Sequence, residues 1–208
     1  HGIKVSKPSY DLNKMMLRKD EIIQKLTGGV SHLFKHNKVE SIHGRGKLIS
    51  ANEVEVTNPK GKKQIVKGKN IILAAGSRPI NIPSVPWNGS TVVGSSGALE
   101  FNQTPKKLAI IGAGVIGLEL GSVWSRLGSN VDLYEAEQTL LPMLDEDVSR
   151  LIEREFRKQN LNIQLGTFVK GSKKSRKGIS LELEIDGKTS SAQYDKVVVA
   201  VGLSLIHI

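Results

Sequence analysis

The segment Gly112-Ala113-Gly114-Val115-Ile116-Gly117 constrains this chain more than any other, because it joins the apolar run 107–111 directly to a helix-patterned stretch, 115–127. In such a strand-to-helix turn each glycine has its own reason. Gly112 permits the sharp turn, Gly114 lets the backbone approach a pyrophosphate, and Gly117 lets the helix lie against the strand. The unpaired amides and the positive dipole end of the helix then face an anion.

Downstream the order is strand 107–111, helix 115–127, strand 130–134, helix 145–159, strand 162–165. Strands alternating with helices in this way predict βαβαβ and a parallel sheet. Asp145 is placed to cap the second helix, with Glu146 and Asp147 in its first turn and Arg157 and Lys158 in its last, all complementary to the dipole. Strand-like runs follow at 168–170, 179–185 and 189–193. Asp186-Gly187 is a hairpin turn, and 196–201 returns as a buried strand.

Glu135 ends the second strand, 18 residues after Gly117. Dinucleotide folds place an acid there to accept hydrogen bonds from the adenosine ribose, which predicts NAD over NADP.

Upstream, residues 11–34 carry apolar side chains at helical spacing with lysines opposite, which predicts a long amphipathic helix whose Met and Leu stripe is core. Gly28 and Gly29 cost that helix about 1 kcal/mol each relative to alanine, so they imply either close approach of another group or a kink. Short β-type runs at 47–49, 54–57 and 64–66 predict a small antiparallel sheet. Residues 70–74, ending in Gly76, read as a buried strand. Four prolines between 79 and 105 mark a crossover between domains. The resulting division is 1–78, 79–105, 106–202 and a tail, 203–208.

The absence of cysteine removes disulfide, thiolate-metal and thiol-nucleophile chemistry from these residues. No cluster resembles a metal site, and the five histidines, at 1, 32, 36, 43 and 207, sit in no motif. No stretch approaches the roughly 20 apolar residues of a membrane helix, so no membrane partner is expected. The formal charge of +10 is concentrated in residues 1–70, with 15 Lys and Arg against 6 acids. The lysines are scattered, with few aromatic residues between them for base stacking, so a solvated surface is favoured over nucleic-acid binding. Because the chain opens on His1 and not on methionine, a preceding part is expected.

Leu26-Thr27-Gly28-Gly29-Val30, Leu33-Phe34-Lys35, Asn37-Lys38-Val39, Asn70-Ile71-Ile72-Leu73-Ala74, Gly112 through Trp124, and Arg126-Leu127-Gly128 together resemble dihydrolipoamide dehydrogenase, over residues 1–202. The resemblance implies an α/β fold: a Rossmann-like NAD-binding domain, with a βαβαβ parallel sheet and a β-meander, attached to part of an FAD-binding domain. It implies a flavoenzyme that oxidises the dihydrolipoyl arms of 2-oxoacid dehydrogenase complexes or of the glycine cleavage system, with NAD as final acceptor. Its NAD contacts fall on Gly112, Ala113, Gly114, Val115, Ile116, Gly117, Leu118, Glu119, Glu135, Val169 and Gly202, with Glu119 near the nicotinamide. Its FAD contacts fall on Gly46, Ala75, Gly76 and Ser77, with Ala75 standing where the family usually has threonine. The family's cysteine pair would lie upstream and its His/Glu dyad downstream, so no catalytic residue is expected here. A parent homodimer, associated with 2-oxoacid complexes and their lipoyl domains, would work in a bacterial cytoplasm or a mitochondrial matrix. After Gly202 the family continues differently, and Leu203-Ser204-Leu205-Ile206-His207-Ile208 resembles a translated sequencing adapter, which predicts a non-native tail without structure. The alternatives are a non-catalytic NAD-binding module and a basic nucleic-acid-binding protein.

Overall fold

A computed structural model describes residues 9–176 and 178–205. It divides into two compact units, one ending at Ala75 and one beginning at Gly76.

In the first unit, α1 (Leu12–His36) starts where Asp11 accepts a hydrogen bond from the Lys14 amide at 3.1 Å, and it ends with Lys35 and His36 in its last turn. The helix runs unbroken through Gly28 and Gly29, and a Cβ added to either would meet nothing within 4 Å. The helix is not divided in two there, and no close neighbour meets either glycine. The stripe predicted as core is mostly exposed, with Leu12 and Met16 half-buried and no residue of α1 buried. An amphipathic pattern sets which face can be buried, but burial needs another element lying on that face. Three antiparallel strands, β1 (Arg45–Ser50), β2 (Glu53–Thr57) and β3 (Lys63–Lys67), pair in the order β1-β2-β3. Lys67 and Lys63 of β3 reach Glu53 and Glu55 of β2 at 2.9 and 3.1 Å. Residues 70–74, read as a buried strand, form no strand, and Ile72 is 90% exposed. An apolar run becomes a central strand only when strands flank it on both sides.

The second unit contains β4 (Ser77–Pro79), β5 (Val92–Gly94), α2 (Ser95–Ala98), β6 (Lys107–Ile111), α3 (Val115–Arg126), β7 (Asn130–Tyr134), α4 (Glu146–Lys158), β8 (Leu161–Gln164), β9 (Thr167–Ser175), β10 (Gly178–Ile185), β11 (Lys188–Tyr194), β12 (Lys196–Val199) and β13 (Leu203–Leu205). Five parallel strands lie in the order β5-β12-β6-β7-β8. Part of the crossover therefore belongs to the sheet, because Val92 and Val93 supply an edge strand too short to stand out among prolines. On one face α3 packs so closely that a Cβ on Gly121 would lie 2.9 Å from Leu133 and 3.3 Å from Ile110. On the other lies the antiparallel meander β11-β10-β9, whose Asp186-Gly187 turn has positive φ at both residues, 49° and 74°, as a type I′ hairpin requires. The fold is thus the expected mixed α/β arrangement of helix, parallel sheet and meander.

The tail was predicted to have no structure, yet β13 pairs antiparallel with β4, with Leu203 opposite Pro79 and Leu205 opposite Ser77. Main-chain hydrogen bonds across an edge depend little on side-chain identity. Residues 206–208 lie outside the described residues.

Between sheet and meander, Ala109, Ile111, Val197 and Val199 meet Ile179, Leu181 and Leu183. A hydrogen-bond chain closes one end of this core. Asn162 donates to Asp132 Oδ1 at 2.7 Å, and the Tyr194 hydroxyl donates to Asp132 Oδ2 at 2.6 Å. Since Tyr194 has one proton and gives it to the carboxylate, the Tyr134 hydroxyl donates to Tyr194. Burial raises both phenols above their ordinary value, and for Tyr194 the hydrogen bond to Asp132 adds to this. An unfolded chain loses these protons near pH 10 while the folded chain keeps them. The stability they contribute is therefore complete below about pH 10 and declines as pH rises beyond it. The melting temperature is expected to fall steeply above pH 10, and Tyr194→Phe to flatten that fall while costing about 1–3 kcal/mol at neutral pH. Thermal melts between pH 7 and 11 check this, and equal alkaline slopes in both proteins would refute it.

Candidate functional site

The C-terminal ends of β6, β7 and β12 open into a cleft of about 610 Å³. Its floor is the glycine turn. Gly112 takes φ +97°, its amide donates to the Tyr134 carbonyl at 2.8 Å, and a Cβ there would lie 2.5 Å from the Ala200 carbonyl oxygen. Only glycine fits this position. Gly114 is the extended residue before α3, and a Cβ on it would meet nothing within 4 Å. The space beside it is open to a ligand. Gly117 does the opposite: its Cβ would stand 2.0 Å from the Gly112 carbonyl oxygen, which shows how tightly α3 lies on the turn. The first amides of α3 have no partner within the helix, and they point with the helix dipole at the cleft.

Glu135 closes one side. Its Oε2 accepts from the Ala113 amide at 2.8 Å, and its Oε1 accepts from the Glu137 amide at 3.1 Å. A carboxylate held by two backbone donors keeps its remaining lone pairs aimed one way, ready to accept from hydroxyl groups.

Of the residues anticipated for NAD, residues 112–116, Glu135, Val169 and Gly202 line this cleft. Gly117 and Leu118 lie buried beneath it, and Glu119 is exposed on α3 outside the lining. Of those anticipated for FAD, Gly46 and Ala75 belong to the first unit, and Gly76, with φ +74°, and Ser77 to the second. The cleft also has walls that no periodic pattern announces. Pro142 and Met143, the latter 71% exposed, follow Leu141, which is buried and held at φ 49°. Phe168, 50% exposed, stands at the start of β9. Positive φ in a non-glycine residue costs about 1–3 kcal/mol and collects at ligand sites. Among the described residues, no group of histidines or acids could hold a metal ion and no helix is long and apolar enough to cross a membrane.

Comparison with known proteins places this geometry among relatives. The chain is 43% identical over 204 residues to leghemoglobin reductase of Vigna unguiculata, covering 97% of this chain and 39% of that protein. It is 40% identical, also over 204 residues, to the mitochondrial dihydrolipoyl dehydrogenase of Pisum sativum, covering 97% of this chain and 41% of that one. The chain thus spans about two fifths of the length of the curated relatives it matches. The crystal structure of LpdA from Mycobacterium tuberculosis shares the fold, with a TM-score of 0.83 at 19% identity over 94% of this chain and 43% of that one. Residues 3–206 match the family described as pyridine nucleotide-disulphide oxidoreductase, and the chain belongs to that family.

Proposed function

We propose that these residues are the coenzyme seat and part of the flavin seat of a flavin-dependent dihydrolipoamide:NAD+ oxidoreductase, serving 2-oxoacid dehydrogenase complexes or the glycine cleavage system. The observation that carries this reading is the Glu135 carboxylate, pinned by the Ala113 amide at the mouth of a cleft floored by residues 112–116. Amides of the first turn of α3 hold the pyrophosphate, and Glu135 accepts from the adenosine ribose. Val169 and Gly202 line the same cleft, while the family resemblance alone assigns Glu119, which lies outside that lining, to the nicotinamide end, and Gly46, Ala75, Gly76 and Ser77 to FAD. Reduced FAD, where bound, would supply the hydride that NAD+ accepts. The protein's part in that step is orientation and the exclusion of water. The compartment is a bacterial cytoplasm or a mitochondrial matrix.

With no cysteine among its 208 residues, this chain holds no dithiol acceptor of its own. That favours, as a second reading, a module that binds NAD without turnover. Dihydrolipoamide oxidation by the isolated chain is expected to equal a heat-killed control, and turnover above it would refute the expectation.

Gly114→Val tests the coenzyme seat itself. Backbone φ at Gly114 is −70°, and no atom lies where a Cβ would go, so the fold should tolerate the change. The added side chain fills the space assigned to the pyrophosphate. NAD affinity is expected to fall at least about tenfold, which is about 1.4 kcal/mol, with the melting temperature almost unchanged. Wild-type affinity in Gly114→Val, read by titration calorimetry, would overturn the assignment.

A further inference from the structure

We propose that Glu137 is a second residue setting coenzyme choice, acting beside Glu135 to exclude a dinucleotide that carries a 2′-phosphate. The inference rests on the cleft being a dinucleotide seat. Three observations support it.

First, Glu137 lines the same cleft as Glu135. Second, its backbone is tied on both sides. Its amide donates to Glu135 Oε1 at 3.1 Å, and its carbonyl accepts from the Gly166 amide at 2.9 Å. The residue cannot swing away without releasing the carboxylate assigned to the ribose. Third, the cleft lining holds no lysine or arginine, and Glu135 and Glu137 are its only charged residues.

A 2′-phosphate carries a charge of about −1.5 to −2 at neutral pH. Entering beside Glu135, it would meet two carboxylates in the lining, while the cation next to that lining, Lys170, lies behind the Phe168 ring, 5.9 Å from its centroid, and is paired with Glu184. The two acids differ in what they do for a ribose hydroxyl. Glu135 accepts from it, whereas the exposed carboxylate of Glu137 contributes charge alone, through partly screened solvent. Glu137 therefore disfavours NADP without helping NAD. Because its tie to Glu135 runs through the main chain, changing its side chain leaves that tie intact.

The test titrates the chain with NAD and with NADP, for wild type, Glu137→Ala and Glu137→Lys. Glu137→Ala is expected to raise NADP affinity about three- to tenfold, and Glu137→Lys by more than tenfold, while NAD affinity shifts less than about twofold. The gain should shrink as salt rises from about 0.01 to about 1 M, where the Debye length falls from about 30 to about 3 Å. A purely structural role of Glu137 would change both coenzymes together, would be insensitive to salt, and would overturn the inference. So would an unchanged NAD/NADP ratio in Glu137→Lys when wild type binds NAD, an outcome that leaves the coenzyme seat standing. Absence of saturable binding of either coenzyme to wild type would overturn the seat and this inference together.

Discussion

Replacing Gly117 with alanine is expected to destabilise the second unit by about 3 kcal/mol or more, the upper part of the range for overpacked positions. The added Cβ would lie 2.0 Å from the Gly112 carbonyl oxygen and 3.2 Å from its carbon, both main-chain atoms. Neither neighbour can step aside. Gly112 is held by the Tyr134 carbonyl and backed by Ala200, and on α3 Leu118 and Trp124 are each 2% exposed, with the Trp124 ring against Phe101. The helix must lift off the strand, which opens the core and moves the amides away from the cleft. At about 2–4 °C per kcal/mol for a chain of this size, the melting temperature should drop by roughly 6–12 °C. Calorimetry of Gly117→Ala beside Gly114→Ala separates crowding from any general cost of losing glycine. A melting temperature within about 2 °C of wild type would show that the turn yields more easily than this geometry implies.

Glu135→Ala should lower NAD affinity by about 1.5–3 kcal/mol, the worth of hydrogen bonds to a charged acceptor, or roughly ten- to a hundredfold. It also removes the acceptor of the Ala113 and Glu137 amides, so the glycine turn loses its lateral brace. For NADP the same change removes a repulsion. Two like charges about 4 Å apart repel by about 4 kcal/mol at an effective dielectric of about 20, and by less at an open, salted cleft. The two affinities should converge, with the remaining preference held by Glu137. Glu135→Gln divides the two roles: its amide oxygen can still accept from Ala113, but its NH2 group then faces the Glu137 N–H, donor against donor. Titration calorimetry of both coenzymes decides the matter, since an unchanged NAD/NADP ratio in Glu135→Ala would show that this carboxylate does not meet the ribose.

What could be read along the chain was whatever local chemistry determines. The glycine spacing required a turn at Gly112 that only glycine allows, and φ there is +97°. The caps of α4, the Asp186-Gly187 hairpin and the alternation of strand and helix likewise follow from residues within a few positions of each other. Glu135 was legible because its distance along the chain from Gly117 is dictated by one helix and one strand. Glu137 and Met143 were not, since a loop that is brought to a cleft by its neighbours carries no periodic signal, and Phe168 was legible as a strand residue but not as a wall of the cleft.

The amino-acid sequence alone therefore determined the βαβαβ order, the positions of the turns and one acid of the candidate site. The tertiary structure decided which apolar faces are covered and which strands find partners. The stripe on α1 and the run 70–74 have every property of buried segments, yet no residue in either is buried, while Val92–Gly94 and Leu203–Leu205, too short or too irregular to announce themselves, pair as strands. Likewise only the fold brings Asn162, Asp132, Tyr194 and Tyr134 into one hydrogen-bonded chain that runs from the surface to two buried phenols. Local preference depends on residues a turn apart, whereas burial and strand pairing depend on surfaces brought together from distant parts of the chain.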